Sequence, residues 1–136
     1  MVRPRFVSVL AAVLFVAGCA ASIVEPPRTQ TVVLGVGEQV QSTDGNLTVF
    51  FISVTDDSRC ATDVVCVWEG NGQVAIRLEL LGGVPMDGQL NTNRAVGPDK
   101  ILFDGHTLEL VSLDPLPLST NPIPPGDYEV SLLIKW

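Results

Sequence analysis

The sequence predicts an all-β domain, a single β-sandwich of immunoglobulin-like form with about seven strands. Three observations lead there. Apolar residues alternate with period two, most cleanly where Val74, Ile76, Leu78 and Leu80 point one way and Gln73, Ala75, Arg77 and Glu79 the other, the spacing of a strand with one buried and one wet face. Short runs of this kind are separated by Gly-, Asp-Gly- and Pro-rich turn signals, which is sandwich or small-barrel punctuation, and the sandwich is the first choice. No window carries the apolar spacing of an amphipathic helix.

Taken in order, residues 31–36 form the first expected strand, halted by Gly35 and Gly37. A second starts near Glu38 and ends at Thr43-Asp44-Gly45-Asn46, where Asp-Gly between two strand-like runs signals a hairpin. Residues 47–54, Leu-Thr-Val-Phe-Phe-Ile-Ser-Val, are apolar on both faces and read as a central strand covered on both sides. The alternating run 73–80 follows. After Gly82-Gly83 comes a long polar connection, residues 84–99, with room for one short strand around 89–93. Ile101-Leu102-Phe103 and residues 107–111 flank Asp104-Gly105-His106, a second hairpin whose turn holds the single histidine, expected to be solvated. Residues 114–126 are proline-rich and cannot lie inside a sheet, because each proline lacks a donor. The last strand, 127–136, places Tyr128, Val130, Leu132, Ile134 and Trp136 on one face. The segment Pro125-Gly126-Asp127-Tyr128-Glu129-Val130-Ser131-Leu132 is similar to the start of a late strand in immunoglobulin-like domains, where a tyrosine fixes the corner. The plainer expectation is that Tyr128 fills the core.

At the other end, Met1-Val2-Arg3-Pro4-Arg5 is basic, residues 6–17 are apolar apart from Ser8, and Gly18-Cys19-Ala20-Ala21-Ser22 is small. That is a secretory signal layout, and its apolar run is shorter than the about 20 residues a spanning helix needs. Val16-Ala17-Gly18-Cys19 resembles the lipobox of bacterial lipoproteins, with Val16 where leucine is usual. The resemblance implies a diacylated Cys19 thiol, cleavage just before it, and acylation of the new amino terminus. Residues 1–18 are then a lipoprotein signal, 19–30 the lipidated cysteine with its tether, and 31–136 the sandwich. Two or more acyl chains hold a protein to a bilayer stably, one only marginally.

Removing the signal takes away Arg3 and Arg5 and leaves 118 of the 136 residues, with 15 acidic side chains against 6 basic ones, a formal net charge of −9. Nucleic acid is not an expected partner, since phosphate contacts need clustered Lys and Arg. Anionic headgroups would not attract this surface either, so the membrane is a partner only through the lipid. The expected location is the bacterial cell envelope, outside the cytoplasm.

An exported chain can hold disulfides, and with Cys19 given to lipid, Cys60 and Cys66 form a natural pair. Five residues separate them, so Ala61-Thr62-Asp63 must turn the chain. Closing so small a ring contributes about 2.4 kcal/mol by chain entropy. The spacing is neither the Cys-x-x-Cys of redox enzymes nor that of a zinc knuckle, and one histidine cannot complete a four-ligand zinc site. Asp44, Asn46 and Asp56 lack calcium-loop spacing. No metal and no cofactor are expected.

The stretch Asp57-Ser58-Arg59-Cys60 with Cys66-Val67-Trp68-Glu69-Gly70-Asn71-Gly72 resembles a motif of a family of small bacterial lipoproteins and secreted proteins of uncharacterised function. The similarity extends more loosely to the strand before it and to Leu113-Asp114-Pro115-Leu116-Pro117 and Gly126-Asp127-Tyr128. Family members often have Pro after the first cysteine and Ala after the tryptophan, where this chain has Ala61 and Glu69. The resemblance implies a class and no activity.

Two readings of the stretch stand. In one, Trp68 lies over the disulfide and Arg59 pairs with Asp57 or Glu69, so the loop is a staple. In the other, Asp57, Arg59, Trp68 and Glu69 form a presented binding surface, Trp and Arg being favoured at hot spots. No Gly-x-Ser-x-Gly elbow, phosphate-cradling loop or His-Glu-x-x-His pair is present, and the adjacent Asp56 and Asp57 point apart in an extended segment, which does not suit a glycosidase pair. The chain is therefore read as a non-catalytic, lipid-anchored envelope protein that binds or supports, with an envelope protein as possible partner. The alternatives are an inhibitor of exported proteases using the bridged loop and a hydrolase assembled from distant loops. Replacing Cys19 by Ser is expected to move the protein from the membrane to the soluble fraction, and continued membrane association would refute the anchor.

Overall fold

The computed structural model describes residues 25–136; the expectations for the signal and for Cys19 lie outside the described residues. Eight strands follow in chain order: β1 (Thr29–Gly35), β2 (Gln39–Gln41), β3 (Leu47–Asp57), β4 (Gly72–Leu80), β5 (Met86–Asn91), β6 (Lys100–Phe103), β7 (His106–Asp114) and β8 (Glu129–Lys135). They build two antiparallel sheets of four, ordered β1-β8-β7-β6 and β2-β3-β4-β5, stacked as a sandwich. One sheet is a run of consecutive hairpins, and the other closes when β1 pairs with β8, from Thr29 opposite Lys135 to Gly35 opposite Glu129.

Period two does the packing. Val49 and Phe51 of β3, Val74, Ile76 and Leu78 of β4, and Leu90 of β5 meet Leu108 and Leu110 of β7 and Val130, Leu132 and Ile134 of β8 in one buried layer. Their intervening neighbours face out, so burial follows the alternation in β4 and β8 as the sequence predicts. Fully burying an aliphatic or aromatic side chain of this size contributes about 1.5–3 kcal/mol.

Several expectations are corrected. β3 is central but covered on one face only: Ile52 is 41 % exposed and Phe50 half-buried, because among the described residues no layer lies outside the β2-β3-β4-β5 sheet. Register shifts between Phe51 and Ser53 and between Val54 and Asp56 bend β3 as it runs on to Asp57. β7 likewise continues to Asp114, and β5 occupies Met86–Asn91 instead of 89–93. His106 is not a solvated turn residue. Asp104 and Gly105, at φ 44° and 80°, make the turn, and His106 opens β7 with a buried ring, Nε2 2.8 Å from Asp44 Oδ2 and Nδ1 3.2 Å from the Asp104 carbonyl.

The sandwich thus has two distinct ends. At one, the Arg28 amide donates to the Trp136 carbonyl at 3.1 Å and the His106–Asp44 contact ties the sheets together; residues 25–28 join the domain here. The other end holds Asp57, Gly72, Asp114 and Glu129 and the connections beyond them. The 11 residues of β3 separate the two by roughly 30 Å.

Candidate functional site

At that second end, Asp57 closes β3 and Arg59 folds back over it. Arg59 Nε donates to Asp57 Oδ1 at 2.8 Å and Nη2 to Oδ2 at 2.7 Å, a two-pronged pair reinforced by the Arg59 amide at 3.2 Å. The guanidinium also donates to the carbonyls of Leu113, through Nη1, and Pro115, at 3.0 Å through Nη2. From the residue just before β8, the Tyr128 hydroxyl donates to Asp57 Oδ2 at 3.0 Å. One ion pair therefore joins β3, the end of β7, β8 and the start of the proline-rich connection, whose Asp114–Pro115 bond is cis.

The pair is buried, with 9 % of the Arg59 side chain and 11 % of that of Asp57 exposed. Burial raises the Asp57 carboxyl, but the Arg59 hydrogen bonds and charge and the Tyr128 hydroxyl outweigh it and hold the group below the usual carboxylate range. Burial, and then the bond to Asp57, push the Tyr128 phenol up. Charge-assisted, forked pairs of this kind are among the strongest protein hydrogen bonds.

The glycines of the motif make this fit possible. Gly70 has φ 73°, and a Cβ there would run into the Ser58 carbonyl. A Cβ on Gly72 would lie 2.6 Å from Leu113 Cδ2 and 3.2 Å from Arg59 Cδ.

Above the pair, Cys60 and Cys66 form a disulfide with Cα atoms 5.9 Å apart. The ring is held at several points. Ser58 N donates to Asn71 O at 2.7 Å, Cys60 N to Glu69 O at 2.8 Å and Thr62 N to Pro117 O at 3.0 Å. The Asp63 carboxylate accepts from the Ser119 amide and hydroxyl, bonds that lower its pKa. Beneath it, Asn71 Nδ2 donates to Asn91 Oδ1 at 2.8 Å, and Asn93 Nδ2 to Gly70 O at 3.0 Å, so buried amides tie the motif to the connection after β5.

What faces outward is apolar. Val65 and Val67 are fully exposed and Trp68 is 58 % exposed, with Leu116 and Leu118 also exposed on the neighbouring connection. Around them residues 56–72 and 114–129 carry Asp56, Asp63, Glu69, Asp114, Asp127 and Glu129, and their one cation, Arg59, is spent on Asp57. The end of the sandwich is an apolar tip with an acidic rim.

Of the four residues expected in a binding loop, the structure brings Asp57 and Arg59 together and buries them; Trp68 and Glu69 remain at the surface. Arg59 pairs with Asp57 and not Glu69, which is the arrangement of the staple reading and leaves its guanidinium turned inward. Sequence reasoning passed over Val65 and Val67, though valines inside the most charged stretch of the chain are themselves a signal. Tyr128 lies in the core as the plainer expectation has it, and its hydroxyl in addition serves Asp57. Elsewhere, a shallow groove on the open sheet face is lined by Ile52, Ala75, Gln89, Val96 and Pro98. No group of His, Cys, Asp and Glu suited to a metal occurs among the described residues.

Removing the Arg59 head leaves a largely buried carboxylate with only the Tyr128 hydroxyl and the residue-59 amide as donors, so Arg59→Ala is expected to cost about 1–3 kcal/mol in urea unfolding at pH 7. Because the folded-state pKa of Asp57 is depressed, its contribution is complete above about pH 4 and is lost as pH falls through the lower folded value. The gap between wild type and variant is therefore expected to narrow below pH 4; a gap that is absent at pH 7 or grows in acid would contradict the assignment. No protein-family model, no curated protein and no solved structure matches the chain.

Proposed function

We propose that this is a non-catalytic, lipid-anchored protein of the bacterial envelope whose bridged loop docks onto another envelope protein. The observation that carries the reading is the exposure of Val65 on a ring fixed by a disulfide, an ion pair and backbone hydrogen bonds, with Val67 and Trp68 exposed just beyond its closing cysteine. Exposed apolar side chains grouped at one site mark interaction surfaces, and a loop already fixed loses little entropy on binding. Trp68 is the natural anchor and the acidic rim supplies orientation.

The envelope placement rests on the signal layout and the lipobox resemblance, with which a disulfide is compatible. Residues 25–28 reach the domain at the end away from the ring. A lipid on Cys19 would then present the ring away from its own membrane, outward on an extended tether. A non-catalytic role fits His106, whose two ring nitrogens both face inward partners, Asp44 and the Asp104 carbonyl.

The test is a photo-crosslinking residue placed at position 67 of the full chain in living cells, beside a control at the exposed position 111 on the face of β7. A discrete adduct to one protein from position 67 and none from 111 is expected. Absence of any adduct at 67, or the same adducts from both positions, would refute docking through the ring.

A further inference from the structure

We infer that the ring is a substrate-like inhibitory loop for an exported serine endopeptidase whose primary pocket accepts a mid-sized aliphatic side chain. Val65 enters that pocket, and the bond attacked is the one joining Val65 to Cys66. This rests on the reading of the ring as the docking surface and names its partner.

Three features combine. First, Val65 is fully exposed with its neighbours held: Val64 N bonds to Ala61 O at 3.3 Å, and Thr62 N to Pro117 O at 3.0 Å. The backbone amides and carbonyls of Val65, Cys66 and Val67 make no backbone hydrogen bond among the described residues, and no residue from 60 to 69 has a positive φ. Such a segment can add to a protease cleft as an extended strand, which is how clefts take substrate backbone.

Second, the disulfide spans the bond at risk. The protease serine oxygen adds to the Val65 carbonyl carbon, its proton passing to the enzyme's base. The carbon–nitrogen bond then breaks, the proton goes to the Cys66 nitrogen, and Val65 is left as an ester on the enzyme. In an ordinary substrate that amine diffuses away. Here Cys66 stays joined to Cys60 through sulfur, while the Cys60 amide holds the Glu69 carbonyl at 2.8 Å on the far side of the cut. The amine remains beside the ester at an effective concentration of about millimolar or higher. Its return to the carbonyl carbon re-forms the peptide bond, releases the serine oxygen and competes with water. A loop that reseals in this way inhibits instead of being consumed.

Third, the rim selects the partner. Asp63 and Glu69 flank the valines, with Asp56, Asp114, Asp127 and Glu129 beyond them and no free cation in either connection. The fitting enzyme has a cationic border around an apolar pocket, and association with it slows as salt is raised.

The experiment uses the full chain in detergent against three serine endopeptidases, cutting after small aliphatic, after basic and after aromatic residues. Wild type is expected to inhibit the first and spare the second. Val65→Asp is expected to weaken inhibition about a hundredfold or more, since a charge enters an apolar pocket. Val65→Arg is expected to transfer inhibition to the enzyme that cuts after basic residues, a gain that no structural role of Val65 produces. The Cys60→Ser, Cys66→Ser variant, its strand content checked by circular dichroism, is expected to become a substrate cut after Val65. Three results would overturn the inference: full activity of the first enzyme with excess wild type, cleavage of wild type at Val65 with no lasting inhibition, or no transfer with Val65→Arg. Any of these beside a persisting crosslink from position 67 leaves docking intact and removes only the protease.

Discussion

The two-pronged contact between Arg59 and Asp57 decides where everything at one end of this sandwich lies. Asp57 is the last residue of a strand bent by two register shifts, and the guanidinium it holds reaches the end of β7 and the first proline of the next connection. Tyr128 completes the set from the entry to β8. A buried ion pair contributes little net stability by itself, because desolvation offsets the Coulomb attraction. It specifies geometry instead, since four guanidinium N–H donations must each meet a fixed carbonyl or carboxylate oxygen.

That geometry frees the ring from being a core element. With the arginine turned inward, the disulfide, Asp63 and the Thr62 amide can hold the ring against the proline-rich connection, and Val65, with Val67 just beyond, is left fully exposed. Leaving apolar side chains in water forgoes about 1.5–3 kcal/mol apiece. That forgone burial is the ground of the proposed docking role, since function is carried on such loops more often than on strands.

Much of the fold was legible because alternation of apolar residues maps directly onto a two-layer sandwich: β4 and β8 bury the residues whose spacing marks them. The open face of β3 was not legible, since Phe50 and Ile52 read as buried by type and only the second sheet's position shows which face is covered. His106 was misplaced because a two-residue turn sits one step earlier than the Asp-Gly-His sequence suggests, and its partner Asp44 lies 62 residues away. At the site, the disulfide followed from counting cysteines. The inward fate of Arg59 did not, because its acceptors at Leu113 and Pro115 are carbonyls, which no side-chain pattern reveals.

Native-state amide hydrogen exchange across residues 58–69 bears most directly on the claim that the ring is fixed at its base and bare at its tip. The amides of Ser58, Cys60 and Thr62, each donated to a backbone carbonyl, should exchange only with large-scale opening, while those of Val65 and Val67 should exchange at nearly the rate of free peptide. Equal, fast exchange at all five positions would mean that the ring is loose and that the Arg59–Asp57 pair does not organise it.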